Sequence, residues 1–161
     1  MIQHTNTLSQ EAINFINNHS DAYRLDPSDN GSIHDIKFPP YISFFTIIHN
    51  DANVGFMALI RIHECPFTTA IFEIEVGIYD EFNSHGYAWE AINSLLSDPF
   101  RILKISQDAI RFEAQIKRTN SLSDKIATHL ESMHFIQMPY DGDLCYQCDI
   151  DRRKHTQSKT R

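Results

Sequence analysis

Apolar positions recur along this chain at two periods, and the switches between them mark out a succession of helices and strands. Ala12, Ile13, Phe15 and Ile16 fall at helical spacing, predicting a helix over roughly residues 9–18 with Thr7 or Ser9 as its cap. Asp26-Pro27-Ser28-Asp29-Asn30-Gly31 and Pro39-Pro40 then predict a loop over 19–40. Residues 41–49 and 54–63 are rich in β-branched and aromatic residues and predict two strands, with Asn50-Asp51-Ala52-Asn53 as the turn between them. A third strand is predicted over about 70–78, where Phe72, Ile74, Val76 and Ile78 alternate with Glu73, Glu75 and Gly77.

The second half continues in the same way. Residues 86–96 have a helical pattern, and Ser97-Asp98-Pro99 predicts a stop and restart, with Asp98 as cap and Pro99 at the first helical position. Ile110, Phe112, Ala114 and Ile116 alternate with polar positions as a strand over 110–117. Leu122, Ile126, Leu130 and Met133 mark a helix over 121–133. Residues 135–139 and 144–150 predict a closing strand pair with Asp141-Gly142 in the turn. Residues 151–161 read as a basic, disordered tail. The predicted order is α, β-β-β, α, β, α, β-β: an α/β class with a mixed, mostly antiparallel sheet flanked by helices.

Length and composition fit that picture. A chain of 161 residues, 42% of them apolar, is long enough for one domain, here residues 1–150, with a single core. The five glycines stand at 31, 55, 77, 86 and 142, so neither G-x-G-x-x-G nor the P-loop pattern can occur. Residues 1–81 carry 11 acids against 3 bases, and the net charge is −7. An acidic body argues against nucleic acid as partner and is compatible with a cationic amine substrate, or simply with solubility. No stretch reaches the roughly 18 apolar residues of a membrane span. The N-terminus lacks the basic and apolar regions of a secretory signal, so with three cysteines the default is a cytoplasmic protein with free thiols.

The chemistry concentrates in Glu73–Ile78 and the segment after it, Asn83-Ser84-His85-Gly86-Tyr87-Ala88-Trp89-Glu90-Ala91. A strand bearing paired acids leads through a tight loop and one glycine into a helix start. The first turn of a helix exposes unpaired N–H groups and a partial positive charge, which suit a phosphate without any Lys or Arg. Gly86 lets the backbone approach a ligand closely.

These residues resemble motif A of the GNAT superfamily of N-acetyltransferases, whose loop reads R/Q-x-x-G-x-G/A. The similarity is greatest to the branch that acetylates ribosomal-protein N-termini and polyamines, where R-G-x-G-Y-A-T-E-A is typical. Gly86, Tyr87, Ala88, Glu90 and Ala91 match; Asn83, Ser84 and Trp89 stand where that branch has Arg, Gly and Thr. Downstream, the strand over 110–117 followed by Asn120-Ser121-Leu122-Ser123 is similar to the branch's strand and N-x-x-S motif. Leu130-Glu131-Ser132-Met133-His134-Phe135 resembles its L-E-K-L-G-F ending, with His134 in place of Gly and a longer spacing from the Asn. The resemblance covers roughly residues 40–150.

It implies a GNAT-like fold and transfer of an acetyl group from acetyl-CoA, as co-substrate, to a primary amine, either a small molecule or a protein N-terminus. It also implies direct attack on the thioester without an acyl-enzyme. The pyrophosphate would lie on the N–H groups of Asn83, Ser84, His85, Gly86, Tyr87 and Ala88, helped by His85. Strand donors at Val76 and Ile78 would polarise the carbonyl, and Asn120 and Ser123 would contact the cofactor or the leaving thiol. A homodimer is compatible with this reading. The alternative is a non-catalytic acyl-CoA sensor or partner-binding protein with the same fold.

A primary amine, with a pKa of about 10.4 in water, must lose a proton before it can attack, and a partly buried carboxylate is a suitable acceptor. Glu73 and Glu75 share one face of their strand. Spacing to Gly86 matches Glu73 to the family's strand glutamate, the local pattern Glu75-Val76-Gly77-Ile78 matches its E-x-G-x, and the balance tips slightly to Glu73; without the resemblance, both acids read better as solvated residues on a half-exposed strand. Tyr79, Tyr87, Tyr140 and Tyr146 stand as unranked general acids. Phe38, Phe44 and Phe45 read as core. Cys145 and Cys148, even with His63 and Cys65, do not make a metal site, because i and i+3 on a strand face opposite ways.

Overall fold

A computed structural model describes residues 1–19, 22–23, 42–64, 69–120, 122–139 and 142–158. The elements are β1 (Ile2–Thr5), α1 (Gln10–Asn18), β2 (Ile42–His49), β3 (Ala52–Glu64), β4 (Thr69–Ile78), α2 (Tyr87–Ser97), α3 (Pro99–Leu103), β5 (Ala109–Ile116), α4 (Ser123–Ser132), β6 (Ile136–Met138), β7 (Leu144–Asp151) and α5 (Arg152–Ser158). The strands form one sheet in the order β1-β2-β3-β4-β5-β7-β6, the mixed, mostly antiparallel α/β arrangement expected. β4 and β5 pair in parallel, since α2 and α3 lie between them and supply the crossover that a parallel pair requires.

The chain divides into two compact units, Met1–Ile60 with Glu75–Leu96, and Arg61–Ile74 with Ser97–Arg161; β4 contributes to both. In the first unit, α1 begins where Ser9 accepts a hydrogen bond from the Ala12 N–H at 3.2 Å, and buries Ala12, Ile13 and Ile16. Ala12 and Ile16 pack with Phe56 and Tyr79, and Leu8, Phe15, Tyr23 and Phe82 lean on this cluster. Phe44 and Phe45 are buried as expected, while Phe38 lies outside the described residues, as does almost all of the predicted loop over 19–40.

Two local features of this unit differ from the sequence expectation. β1 has no counterpart there, because four residues with only Ile2 strongly apolar give too short a pattern; pairing with β2 from Ile2↔Ile47 to Thr5↔Phe44 makes it a strand. The β2–β3 turn is Asn50-Asp51 alone, with φ of 48° and 63°, because Ala52 already pairs with His49. Two left-handed residues match the twist of the flanking strands, which is why Asn and Asp are suited to that turn.

Gly77 on β4 is a point of closest packing. A Cβ there would lie 2.3 Å from Phe56 Cε1 and 2.9 Å from the Tyr23 hydroxyl oxygen. Both rings therefore rest directly on the strand backbone.

In the second unit, Ile110, Phe112 and Ile116 of β5 are buried, as their alternation predicts. α4 buries Leu130, whereas Leu122 precedes the helix and is exposed. Gly142 has φ +117°, consistent with the predicted turn, of which Asp141 lies outside the described residues. Asp98 stands at the α3 N-cap with Pro99 following, but its carboxylate accepts from Arg101 Nε at 2.7 Å rather than capping the backbone.

Residues 152–158, read from sequence as a disordered tail, form α5. Asp151 Oδ1 accepts from the backbone N–H groups of Arg153 and Lys154 at 2.8 and 3.3 Å. The Arg152 guanidinium donates to the Ile105 and Gln107 carbonyls at 2.7 and 3.1 Å and lies 4.2 Å above the Phe100 ring. A charged side chain thus anchors the segment inward, which a count of basic residues does not reveal. Among the described residues no helix is long and apolar enough to cross a membrane.

Arg152→Ala removes these charge-assisted hydrogen bonds and is expected to cost about 1–3 kcal/mol in urea denaturation. It should also speed tryptic cleavage at Arg153 and Lys154; unchanged cleavage would show that α5 is held by other contacts. Gly77→Ala forces a methyl group against Phe56 and Tyr23, with an expected loss of about 1–3 kcal/mol measured as a lowered Tm.

Candidate active site

β4 places the two candidate bases in different company. Glu73 and Glu75 are 6% and 8% exposed, so the reading of both as solvated strand residues does not describe them. Carboxylates this deeply buried are uncommon on a strand and need compensation from their surroundings. Glu73 belongs to the second unit, where it is in register with Glu113 of β5. Burial pushes the Cys145 thiol up in that unit, with the charges of Glu113, Asp143 and Glu73 adding to it.

Glu75 belongs to the first unit, beside Tyr23. Burial foremost, then the charges of Glu75 and Asp80, raise the Tyr23 hydroxyl far above its usual range, so it holds its proton. That hydroxyl donates to the Val76 carbonyl at 3.4 Å. The next residue of β4 on this face is Gly77.

Beyond Ile78 the chain makes a tight passage into α2. Tyr79 is buried, and its hydroxyl meets Ser9 Oγ at 3.3 Å and accepts from Asn53 Nδ2 at 3.4 Å. Burial raises its pKa, with those hydrogen bonds opposing the shift. A 3₁₀ turn, Asp80–Phe82, follows; Asn83 Nδ2 donates to Asp80 Oδ1 at 3.3 Å.

Ser84 and Gly86 then take φ of +67° and +84°. Nothing lies within 4 Å of a Cβ built on Gly86, so backbone conformation, not crowding, requires the glycine. The Gly86 carbonyl accepts from the N–H groups of Trp89 and Glu90 at 3.0 and 3.1 Å, starting α2. The leading N–H groups of α2 are therefore those of Tyr87 and Ala88, which as first-turn donors have no partner further back in the helix.

A ring stack braces this passage. His85 Nδ1 meets the Asn83 and Phe82 carbonyls at 2.8 and 3.1 Å, and since a carbonyl only accepts, that nitrogen carries the hydrogen. The His85 ring stacks on Tyr87 at 5.5 Å and 10°, and the His49 ring also lies 4.5 Å from that of Tyr87, with His49 Nδ1 3.9 Å from Glu90 Oε2. Tyr23 and His49 are missing from the residues that the sequence singles out. Tyr23 stands in a polar stretch with no periodicity, and His49 ends a strand.

The remaining sequence candidates fall in the second unit. Asn120 Oδ1 accepts from the Leu122 N–H at 2.9 Å and its carbonyl accepts from the Ser123 N–H at 3.0 Å, so this residue builds the entry to α4, whose first residue is Ser123. Tyr146 is buried, with its hydroxyl 3.5 Å from Glu131 Oε1. Tyr140 lies outside the described residues, as do Cys65 and the side chain of His63. Cys148 is buried and Cys145 half-buried. Among the described residues no group of three or more His, Cys, Asp or Glu side chains is placed to hold a metal ion.

No family model and no curated protein matches the chain. Solved structures do. A single-residue variant of the spermidine N-acetyltransferase SpeG from Vibrio cholerae superimposes with a TM-score of 0.66 at 18% identity, covering 99% of each chain. The V. cholerae spermidine N-acetyltransferase in complex with CoA and spermine gives 0.62 at 16% identity, over 96% of this chain and 98% of that one. Campylobacter jejuni N-acetyltransferase PseH in complex with acetyl coenzyme A gives 0.61 at 13% identity, over 92% and 98%. At these identities what is shared is the architecture: the chain has the fold of the GNAT N-acetyltransferases.

Proposed function

We propose that the chain is an N-acetyltransferase that moves an acetyl group from acetyl-CoA to a primary amine, with Glu75 as general base. The observation that carries this reading is the left-handed pair Ser84 and Gly86 between β4 and α2. Residues in this conformation turn successive backbone N–H groups to one side, forming a concavity that suits an anion, and the α2 dipole adds to it. Residues 79–90 contain no Lys or Arg. A pyrophosphate would be held here by the N–H groups of Ser84 to Ala88, since that of Asn83 is taken by the Asp80 carbonyl at 3.3 Å, with the ring stack of His85, Tyr87 and His49 fixing the loop. The V. cholerae and C. jejuni neighbours, solved with CoA and acetyl coenzyme A, support the choice of ligand.

Acetyl-CoA supplies an activated thioester, whose carbonyl carbon is attacked by the amine and whose thiolate leaves as the C–S bond breaks. The chain's part is to orient the thioester, through strand donors at Val76 and Ile78, and to take the proton that the ammonium must lose. Two features support Glu75 over Glu73 for that role. Glu75 lies in the same compact unit as the anion loop, and the only strand residues between it and Tyr79 are the proposed carbonyl donors and Gly77. One neighbour is a spermidine N-acetyltransferase solved with CoA and spermine, which supports a cationic amine as the acceptor.

Acetyl-CoA at about 100 times its Kd is expected to stabilise the chain by about 2.7 kcal/mol in a thermal-shift titration. With an amine panel, free thiol should appear with one or more amines; stabilisation without thiol release would instead establish the non-catalytic sensor. Glu75→Gln should lower kcat by about 10²–10⁴, the usual contribution of a general base, while Glu73→Gln stays close to the parent. The reverse result would move the base to Glu73. Gly86→Ala places a side chain at positive φ, costing about 1–2 kcal/mol locally. It should raise the KM for acetyl-CoA several-fold with little effect on kcat at saturation.

A further inference from the structure

Tyr23 carries chemistry that the acetyl-transfer steps leave unused. It lies just beyond α1, yet its ring reaches β4, packing 5.5 Å from Phe56 and 6.0 Å from Phe15. Its hydroxyl oxygen lies 2.9 Å from where a Cβ on Gly77 would be, and donates to the Val76 carbonyl at 3.4 Å. Glu75 and Gly77 share one face of β4, so the phenol rests on the face that carries the carboxylate.

We propose that Tyr23 is a positioning residue for Glu75: its hydroxyl fixes the strand backbone at Val76 and, through it, the place of the neighbouring carboxylate, without touching the amine. This inference rests on the reading of Glu75 as the base. Because burial and the charges of Glu75 and Asp80 keep the phenol protonated, the oxygen presents an O–H dipole at any pH at which amines are acetylated. Its one hydrogen is committed to the Val76 carbonyl, so the hold on Glu75 acts through the backbone of the adjoining residue. Among the described residues, the other titratable groups near the ring are Asp80, 4.0 Å from His19 at the end of α1, and Tyr79, held by Ser9 and Asn53; Glu11 of α1 accepts from Asn53 at 2.9 Å. All of these stay in place when only the Tyr23 oxygen is removed.

The test is the pH profile of kcat/KM for the full chain, with acetyl-CoA and the amine of highest turnover. Tyr23→Phe keeps the ring against Phe15, Phe56 and Gly77. It should lower kcat about tenfold and shift the acid limb by about half a unit or more, since the backbone that holds the Glu75 carboxylate in its surroundings is released at Val76. The KM for acetyl-CoA should stay within about twofold. Phe56→Leu serves as the packing control, lowering Tm without moving the limb. A Tyr23→Phe profile superimposable on the parent, whatever its kcat, overturns the inference while leaving the base in place. Full turnover by Glu75→Gln would instead overturn the base reading, and the two failures are therefore distinguishable.

Discussion

The contact on which the first unit depends is the seating of two aromatic rings on a strand backbone. Gly77 has no Cβ, so Phe56 and Tyr23 come within a distance that any other residue would forbid. That approach seats two members of the α1 cluster on β4, two residues along one face from the buried Glu75. Burial of a carboxylate then becomes a chemical resource, because a group removed from water responds strongly to a single nearby dipole or charge. The same packing leads the chain out of β4 at a buried Tyr79 and into the left-handed passage that opens α2. One missing methyl group therefore sits beneath both the acid and the approach to the loop proposed to hold the pyrophosphate.

The two glutamates illustrate how little a residue type says without its neighbours. They are two positions apart and almost equally buried. Yet one is in register with Glu113 and adds only a little to the burial that raises the thiol of Cys145, while the other acts on a phenol that stays protonated. Spacing to Gly86 points to Glu73; surroundings point to Glu75. Sequence distance measures chain length, whereas proton transfer depends on solvent access and on adjacent dipoles.

Much of the fold was legible because it follows from local periodicity. The alternation in β4 and β5, the Ser9-capped stripe of α1 and the Asp98-Pro99 restart each carry their own signal, and each becomes the element it predicts. β1 and α5 were not legible. Both are held by partners distant along the chain: β1 by β2, and α5 by the Ile105 and Gln107 carbonyls that receive Arg152. Asn120 was legible as a motif residue, but its use in building the α4 entry emerges only in the hydrogen bonds. Tyr23 and His49 gave no signal, since a lone aromatic in a polar stretch looks like any surface residue.

The sequence by itself determined the strands and helices other than β1 and α5, that the acids and a solitary glycine bracket a strand-to-helix turn, and the resemblance to the N-acetyltransferases. These are properties of neighbours in the chain, and the 2.0 and 3.6 periods record them directly. Only the tertiary structure decided that both acids are buried, that Tyr23 lies over Gly77, and that Ser84 joins Gly86 in the left-handed region. Each of those depends on groups brought together across tens of residues, where burial and close packing, not local preference, set the free energy.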